Sequence, residues 1–332
     1  SIASVSYEYM KMKGVFNNVM ELSGIPREFI NKCMYGGRTM MSNNTKDKVE
    51  TERFNKDFIS KEDILEKKYK GWGLADVDAI SLYTSSQVKL GGYLQGLPKI
   101  ITNLSYDDLK TKDGYFIEIL IKSVCKKYDF PTMSKKTKEG IRHWTSNMEG
   151  ETMFVDKTTM EDIIKYHKIE YEIIKGYYFD EGRNMLLKPV MENVFNLRLK
   201  AKADGNPIQA VYKLIMNSAY GKTILKPFTT DIEYISEKKI EEYIGRNYNW
   251  IMEATILPNG KTYKVKKHKS INNHFNIVQA GVEVLSMSKR IMNEVMFLAE
   301  DNDIKMYYQD TDSIHMNNDK IDELTKLYAK EY

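Results

Sequence analysis

The sequence predicts an α+β fold, in which an antiparallel sheet is backed by helices and interrupted by inserted subdomains. Strand-like and helix-like segments follow one another without the regular alternation that parallel βαβ units require. The chain has 332 residues, of which 42% are hydrophobic. That is enough for one large core or for about two or three subdomains.

The first strand with chemical interest lies in residues 71–93, GWGLADVDAISLYTSSQVKLGGY, where an apolar strand leads into a short turn. Its apolar members are Leu74, Val77 and Ile80. They predict that the strand is buried, and it carries Asp76 and Asp78 at its end. A buried carboxylate must be paired or must coordinate a metal ion.

Two further strands and a helical hairpin are predicted in the middle of the chain. The strands are residues 113–125 and 171–180. Pro189 opens a helix that the segment ADGNP ends, and Pro207 opens a second helix that Gly221 can end. The short connection between the two helices predicts that they pack side by side as a hairpin.

The last third of the chain predicts a β-hairpin, a long helix and a second hairpin. WIMEATILPNGKTYKVKKH contains two strand-like runs around Pro258, Asn259 and Gly260. From Asn276 to Glu300, apolar residues recur at helical spacing and form one buried stripe, namely Val278, Val282, Leu285, Met292 and Met296. The segment YYQDTDSIHM then predicts a strand, a tight turn and a strand, with His315 packed in the second strand.

Composition limits the classes of protein to which the chain can belong. The formal net charge is +4, so the distribution of charge is more informative than its total. Cys33 and Cys125 stand far apart, which argues against a disulfide framework or a zinc site. No signal peptide and no membrane-spanning run is evident, so we expect an intracellular protein. The chain begins without Met and ends within a helix-like segment, so we expect it to be part of a longer protein.

Three carboxylates predict a metal site. Asp310 and Asp312 are one residue apart in a predicted turn, with no Lys or Arg beside them. Like charges this close raise each other's pKa unless a cation neutralises them. Together with Asp78 they would place three carboxylates at the ends of two strands, which suits two Mg²⁺ ions about 4 Å apart. An acidic turn without ligands is the alternative for the D-x-D sequence alone.

The helical hairpin predicts a cationic face opposite these carboxylates. Lys213, Asn217 and Tyr220 stand at i, i+4 and i+7 and share one side of the second helix, while Leu214 and Ile215 are expected to turn toward the core. On the first helix, Arg198 and Lys202 are also four residues apart. The three cations suit a triphosphate. Solvated helix charges are the alternative.

The sequence resembles the family B DNA polymerases at three motifs in the family's order. DAISLYTS is similar to motif A (D-x-x-S-L-Y-P-S), KLIMNSAYG to motif B (K-x-x-x-N-S-x-Y-G) and YQDTDS to motif C (Y-x-D-T-D-S). The matched region runs from about Gly71 to Met316. The resemblance implies a polymerase palm with an antiparallel sheet backed by helices, helical-hairpin fingers and inserted subdomains.

The resemblance also implies roles for individual residues. Asp78 and Asp312 would be the principal metal ligands with Asp310 beside them, and Lys213 would act with them in catalysis. Residues implied at the nucleotide are Ser81, Leu82, Tyr83, Arg198, Lys202, Lys213, Asn217 and Tyr220. Tyr83 would exclude a ribose 2′-OH. Residues implied at the primer or DNA are Tyr308, Thr311, Ser313, Gly36, Gly37, Lys264 and Lys266.

The sequence departs from the family pattern at two motifs and at both ends. Thr84 replaces the usual Pro of motif A, and Met34 replaces the Tyr of the Y-x-G-G linker motif. No exonuclease motif precedes that linker, and the sequence ends before the family's K-x-Y motif and thumb, so we expect the palm and fingers of a truncated polymerase. The implied division is 1–70 linker region, 71–125 first part of the palm, 126–165 insertion resembling the terminal-protein region, 166–188 palm strands, 189–222 fingers, 223–275 insertion with a basic β-hairpin, and 276–332 second part of the palm.

The predicted function is template-directed DNA synthesis with two Mg²⁺ ions, for which Mn²⁺ can substitute. The partners would be a DNA template-primer, deoxynucleoside triphosphates and a terminal priming protein, without a membrane. The two insertions favour the protein-primed branch found in viruses and mobile elements, although ordinary surface elaborations and an edge hairpin protected by lysines are alternatives. Two other functions stay open, namely a D-x-D glycosyltransferase and a non-catalytic DNA-binding fragment.

Overall fold

The computed structural model describes residues 2–45, 73–226 and 228–332. The rest of the predicted linker region, residues 46–70, and the first two residues of the predicted strand at 71–93 lie outside these ranges. The described helices are α1 (Ile2–Met12), α2 (Gly24–Lys32), α3 (Leu82–Leu90), α4 (Tyr106–Lys110), α5 (Lys157–Asp162), α6 (Leu187–Ala203), α7 (Ile208–Thr223), α8 (Ile240–Asn247), α9 (Val278–Asp301) and α10 (Ile321–Glu331). The described strands are β1 (Thr39–Met41), β2 (Leu74–Asp78), β3 (Tyr93–Leu94), β4 (Lys99–Ile100), β5 (Gly114–Val124), β6 (Ser134–Lys136), β7 (Arg142–Trp144), β8 (Thr152–Asp156), β9 (Ile169–Phe179), β10 (Arg183–Asn184), β11 (Thr230–Ser236), β12 (Ile251–Ile256), β13 (Thr262–His268), β14 (Met306–Asp310) and β15 (Ser313–Asn317).

Four antiparallel strands in the order β1-β14-β15-β2 form what we call the central sheet. Side chains alternate between its faces, as the two-residue period of a strand requires. Met40, Gln309 and Ile314 are buried on one face. Helix α9 packs behind that face, since its Met292 and Met296 belong to the same apolar cluster. The predicted helix and the predicted strand-turn-strand of YYQDTDSIHM are therefore confirmed.

The prediction that β2 is a buried strand is wrong. Leu74 and Val77 are 43% and 38% exposed, and Ile80, which follows the strand, is 82% exposed. The reason is that β2 lies at the edge of the described central sheet. Asp76 and Asp78 are consequently open to solvent, and burial cannot be the argument for a metal ion there. In addition, the turn expected after β2 leads directly into helix α3.

A second four-stranded sheet has the order β4-β9-β5-β8. Its two long strands, β5 and β9, confirm the strands predicted at residues 113–125 and 171–180. Tyr115, Ile117, Ile119 and Ile121 of β5 are fully buried in the same cluster that underlies the central sheet. The two sheets therefore share one apolar core.

Helices α6 and α7 form the predicted hairpin. Helix α6 begins at Leu187, before Pro189, and α7 begins directly after Pro207 but continues past Gly221 to Thr223. The expectation that Leu214 turns toward the core is wrong, because Leu214 is 42% exposed and Met216 is the buried residue of this stretch. Met216 packs in a second apolar cluster with residues of α1, α6 and α9.

The third sheet, called here the basic sheet, has the order β11-β13-β12. Its β12 and β13 confirm the predicted β-hairpin, in which Gly260 has a φ of +64° in the turn. Such a φ favours glycine because it has no Cβ. No described helix is long and apolar enough to cross a membrane.

Candidate active site

The register of the central sheet brings two of the predicted carboxylates to the same face. Ser313 of β15 lies directly opposite Asp310 of β14 on one side and Asp78 of β2 on the other. Residues directly opposite one another in an antiparallel sheet point to the same face. Since neighbouring strands are about 4.8 Å apart, the Cα atoms of Asp310 and Asp78 are separated by roughly 10 Å.

Asp312 lies in the two-residue turn that connects these strands. Its carbonyl oxygen accepts a hydrogen bond of 2.7 Å from the backbone amide of Ala79, directly after Asp78. Its own amide donates to the carbonyl of Asp310 at 2.6 Å. The turn therefore places Asp312 beside the end of β2, and the three carboxylates form what we call the acidic row, Asp78, Asp310 and Asp312.

The segment directly before β1 supports the turn. Thr311 has a φ of +55°, a left-handed conformation that is unusual for a Thr. Its amide donates to the carbonyl of Arg38 at 2.9 Å. A methyl group at Gly37 would overlap the Thr311 side chain, whereas one at Gly36 would meet nothing within 4 Å. Gly37 thus allows the close approach of the turn. A contact of either glycine with DNA stays a prediction.

The carboxylates of the acidic row repel one another, because no cation is paired with them among the described residues. Partial burial, followed by the charges of Asp78 and Asp310, raises the pKa of Asp312 above its ordinary value. Asp310 accepts a hydrogen bond of 2.9 Å from the Thr39 hydroxyl. In the described part of the chain, no Lys or Arg forms an ion pair with any member of the row. A divalent cation would relieve the repulsion.

The acidic row needs further ligands to complete the coordination of a metal ion. Among the described residues, no three His, Cys, Asp or Glu side chains converge closely enough to hold one metal ion by themselves. Mg²⁺ in phosphate-transfer sites is usually held by one or two carboxylates, with water and substrate phosphates completing its coordination. A spread row of exposed and half-buried oxygen ligands suits that chemistry.

A second row lies two residues farther along the same face. His315 is opposite Tyr308 and Asp76. Its Nε2 is 3.5 Å from Asp76 Oδ1, and its ring meets the Tyr308 ring edge-on at 5.1 Å between centroids. His315 is therefore packed between strand neighbours, which confirms its predicted packing. The predicted approach of Tyr308 to a primer end remains a prediction.

The start of helix α3 brings aromatic and polar side chains next to the acidic row. Ser81 has left-handed backbone angles and stands directly before the helix, which begins with the buried Leu82. The Tyr83 ring stacks on the Tyr220 ring of α7 at 4.7 Å between centroids. Burial raises the pKa of Tyr83, and the charge of Asp312 raises it further. Motifs A, B and C therefore meet at this point.

Only one of the three predicted phosphate-binding cations has a contact that fixes it near the row. Arg198 Nη1 donates to Ser81 Oγ at 3.3 Å, and Arg198 Nε is buried without a partner. A buried N–H without a partner is rare in proteins. Lys202, Lys213 and Asn217 are exposed, and within the described residues no hydrogen bond fixes their side chains.

The lysines of and next to strand β13 in the basic sheet fall into two groups, and the two predicted to bind DNA, Lys264 and Lys266, form one of them. Lys267 and Lys269 form ion pairs with Glu233 at 2.6 Å and Asp231 at 3.1 Å. Lys264 and Lys266 are opposite Tyr234 and Ile232, with side chains on the other face. Among the described residues, no ion pair involves Lys264 or Lys266. Those two lysines are available to an external phosphate.

The sequence reasoning missed three residues around the turn, namely Arg38, Thr39 and Gln309. Arg38 and Gln309 are each 2% exposed and hydrogen-bond to one another. A signal existed for Gln309, because it occupies the core-facing position of a strand between Tyr308 and Asp310, and a buried amide requires a partner. No comparable signal marks Arg38, since its partners come from distant parts of the chain.

Comparison with known proteins agrees with these motifs. Residues 76–328 match the sequence profile of DNA polymerase type B, organellar and viral. A probable DNA polymerase of Ascobolus immersus is 27% identical over 177 residues, covering 52% of this chain and 14% of the relative. A DNA polymerase of the Acidianus bottle-shaped virus is 41% identical over 56 residues, covering 16% of this chain and 9% of the relative. The chain therefore spans a small part of the length of these curated relatives.

Solved structures show the same fold. The phi29 DNA polymerase complexed with primer-template DNA superimposes with a TM-score of 0.60 at 16% identity, covering 96% of this chain and 47% of that protein. Its complex with primer-template DNA and incoming nucleotides gives a TM-score of 0.58 at 16% identity, covering 96% of this chain and 48% of that protein. At this identity the likeness concerns the fold alone, and it confirms the predicted palm-like architecture.

Proposed function

This chain belongs to the type B DNA polymerases of organelles and viruses, the protein-primed type, and we propose that it carries the catalytic centre of a template-directed DNA polymerase. One observation carries the proposal. The register of β14, β15 and β2 sets Asp310, Ser313 and Asp78 side by side on one open face. Asp312 and the stacked pair of Tyr83 and Tyr220 lie at the end of that row.

The acidic row would hold two Mg²⁺ ions, with Mn²⁺ as a substitute. Asp78 and Asp312 would be the principal ligands, and Asp310 would contribute from the adjacent strand. When bound, such ions lower the pKa of an attacking hydroxyl and neutralise charge on a leaving pyrophosphate. Asp78 and Asp310 are exposed, Asp312 is half-buried, and none has a cationic partner among the described residues, so the face is open to ions, water and phosphate.

The residues beside the row would bind and orient the incoming nucleotide. Arg198 is partly exposed and its Nη1 is fixed against Ser81, so its guanidinium would donate to the triphosphate. Lys202 and Lys213 are flexible cations that would bind the same phosphates. Lys213 would also stabilise the charge that develops during transfer. Tyr83, stacked on Tyr220, would be the surface against which the sugar lies, and Asn217 would lie near the new base pair.

The proposed reaction joins a deoxynucleotide to a hydroxyl. The nucleophile would be the 3′-OH of a DNA primer or, at initiation, the side-chain hydroxyl of a terminal protein. The solved relatives are complexes with primer-template DNA and with incoming nucleotides, and we infer the same partners here. The organellar and viral membership supports replication of a virus or a linear mobile element inside its host cell.

The test is primer extension by the full-length protein with Mg²⁺ and a complementary template. Asp312→Asn is expected to abolish incorporation, because it removes a charged ligand while keeping the size of the side chain. Asp303→Asn is the matched control, since Asp303 is exposed, precedes β14 and has a φ of +58° that Asn accepts readily. Normal incorporation by Asp312→Asn would overturn the proposal. Turnover of a sugar nucleotide without any template would favour the glycosyltransferase instead.

A further inference from the structure

Arg38 is a buried cation whose donors reach three separate parts of the fold. It follows Gly37 directly, stands one residue before strand β1, and is 2% exposed. Its acceptors are Gln309 Oε1, the carbonyl oxygens of Phe130 and Pro131 at 2.9 and 2.7 Å, Asn293 Oδ1 at 3.1 Å and Met296 Sδ at 3.1 Å. These partners belong to β14, to the loop before β6, and to helix α9.

The same residue is connected to the turn of the acidic row in three ways. Its carbonyl oxygen accepts the hydrogen bond from the Thr311 amide. Its side chain donates to Gln309, which precedes Asp310 and whose Nε2 donates to the Thr311 carbonyl at 3.4 Å. Thr39, the next residue, donates its hydroxyl to Asp310. These three contacts therefore all pass through Arg38 or its neighbour Thr39.

Helix α9 fixes the segment around Arg38 from the opposite side. Lys289, Asn293 and Met296 stand at i, i+4 and i+7 on one face of that helix. Lys289 Nζ donates to the Tyr35 carbonyl at 2.7 Å, and the other two side chains accept from Arg38. Asn293 Nδ2 also donates to Asp162 at 3.1 Å. The support thus extends from the turn through Arg38 to α9 and to the end of α5.

Arg38 is suited to this position because of its charge and shape. Burial lowers its pKa to about 10, while the carboxylates of Glu300 and Asp162 oppose the shift, so the guanidinium is charged at neutral pH. A planar guanidinium has five N–H donors that point in fixed directions. A lysine ammonium cannot reach acceptors on three elements with one rigid group.

We propose that Arg38 is a positioning residue for metal binding, which holds the Asp310–Asp312 turn at the place where the acidic row can share its ions. This inference rests on the proposed function, because the ions matter only if the row is the catalytic centre. Arg38 is too deeply buried to touch nucleotide or DNA. Its effect must reach the carboxylates through Gln309, Thr311 and Thr39.

The experiment compares Arg38→Lys with the wild-type protein in two measurements. Binding of Mn²⁺ to the protein alone is followed by electron paramagnetic resonance of the free ion, and the Mg²⁺ concentration for half-maximal primer extension is determined separately. We expect Arg38→Lys to weaken Mn²⁺ binding and to raise the Mg²⁺ requirement, each by about tenfold or more, as loss of outer support commonly does at metal sites. The apparent KM for nucleotide should change little.

Arg183→Lys is the matched control. Arg183 also donates to two carbonyl oxygens, those of Gly92 and Asp113, and to one buried carboxylate, Glu283, but within the described part of the chain it does not contact the turn. It should lower the melting temperature without changing Mn²⁺ affinity. Gln309→Met is a second variant, which removes the Arg38 contact from the β14 side and decides the question if Arg38→Lys does not fold.

The outcomes separate this inference from the proposed function. Weaker Mn²⁺ binding in Arg38→Lys or Gln309→Met, with normal binding in Arg183→Lys, supports the positioning role. Lower stability with unchanged Mn²⁺ affinity and Mg²⁺ requirement overturns that role alone. If the wild-type protein neither binds Mn²⁺ nor extends a primer, the proposed function fails and the inference fails with it.

Discussion

The Tyr83 ring lies flat on the Tyr220 ring, with 25° between the planes, and this contact joins the start of α3 to helix α7. The two residues are far apart in the chain and belong to motifs A and B. Tyr83 is also close enough to Asp312 for that carboxylate to raise the pKa of the Tyr83 hydroxyl. The surface proposed for the nucleotide sugar therefore depends on contacts between three motifs.

The first prediction concerns sugar selection. Tyr83→Val should increase use of ribonucleotides relative to deoxynucleotides by about tenfold or more, because the smaller side chain leaves room for a 2′-OH. The ratio of kcat/KM for the two nucleotide types measures this effect. Tyr83→Phe keeps the ring and its stacking, so its ratio should stay near that of the wild type. Equal ratios in all three proteins would contradict the assignment.

The second prediction concerns Asp312 and stability. The pKa of Asp312 is raised in the folded state, so the ionised carboxylate destabilises the fold at any pH above that raised pKa. This destabilisation is lost as the pH falls through the raised pKa. Without divalent ions at neutral pH, Asp312→Asn should therefore raise the melting temperature by about 1–2 °C. Thermal melts at several pH values measure this, and the gain should shrink in acid. Added Mg²⁺ should stabilise the wild type more than the variant.

The third prediction concerns Arg198. Arg198→Ala should raise the KM for nucleotide by about tenfold or more, since hydrogen bonds to charged groups contribute about 1.5–3 kcal/mol. Steady-state extension of a primer by one nucleotide measures this. Lys200→Ala is the control, because Lys200 is exposed two residues farther along the same helix and projects from nearly the opposite side. An equal KM in both variants would exclude a phosphate contact.

The fourth prediction compares neighbouring glycines. Gly37→Ala should destabilise the protein by about 1–3 kcal/mol, because the new methyl group would overlap Thr311 and force the turn to move. Gly36→Ala should have a much smaller effect, since the added methyl group meets nothing within 4 Å. Denaturant unfolding measures both. Adding Thr311→Gly to Gly37→Ala should restore part of the lost stability, because it removes the overlapping side chain and suits the positive φ.

The fifth prediction concerns the basic sheet. Replacing Lys264 and Lys266 together by Ala should weaken DNA binding and lower the slope of log affinity against log salt by about two, one for each lost phosphate contact. The same change at Lys267 and Lys269 should leave the slope nearly unaltered, because these lysines are already paired with acids of β11. Fluorescence anisotropy over a range of salt concentrations compares the two double variants.

Local sequence patterns predicted much of the fold and of the site. The alternation around Asp310 and Asp312, the turn at Gly260 and the apolar stripe of α9 depend on neighbours in the chain, and each was confirmed. The resemblance placed Tyr83 and Tyr220 at the same nucleotide site, but the stacking of their rings was not predicted.

Features that depend on distant parts of the chain were not predictable. The exposure of Val77 depends on the edge position of β2, and the burial of Met216 in place of Leu214 depends on how α7 rotates against α1 and α9. The contacts of Arg38 were even less predictable from the sequence. Its acceptors come from loops and a helix that a single sequence cannot place beside it.

The position of Ser313 between Asp310 and Asp78 has a consequence for the variation that the site can tolerate. The Cα atoms of the two acids are two strand spacings apart, so the backbone determines this separation and side-chain rotamers do not change it. Substitutions elsewhere can tilt or shift the tip of the β14–β15 hairpin, but they leave the separation of the Asp310 and Asp78 Cα atoms nearly unchanged. Ser313 itself must stay small, because a bulky side chain at the midpoint would occupy the space between the acids.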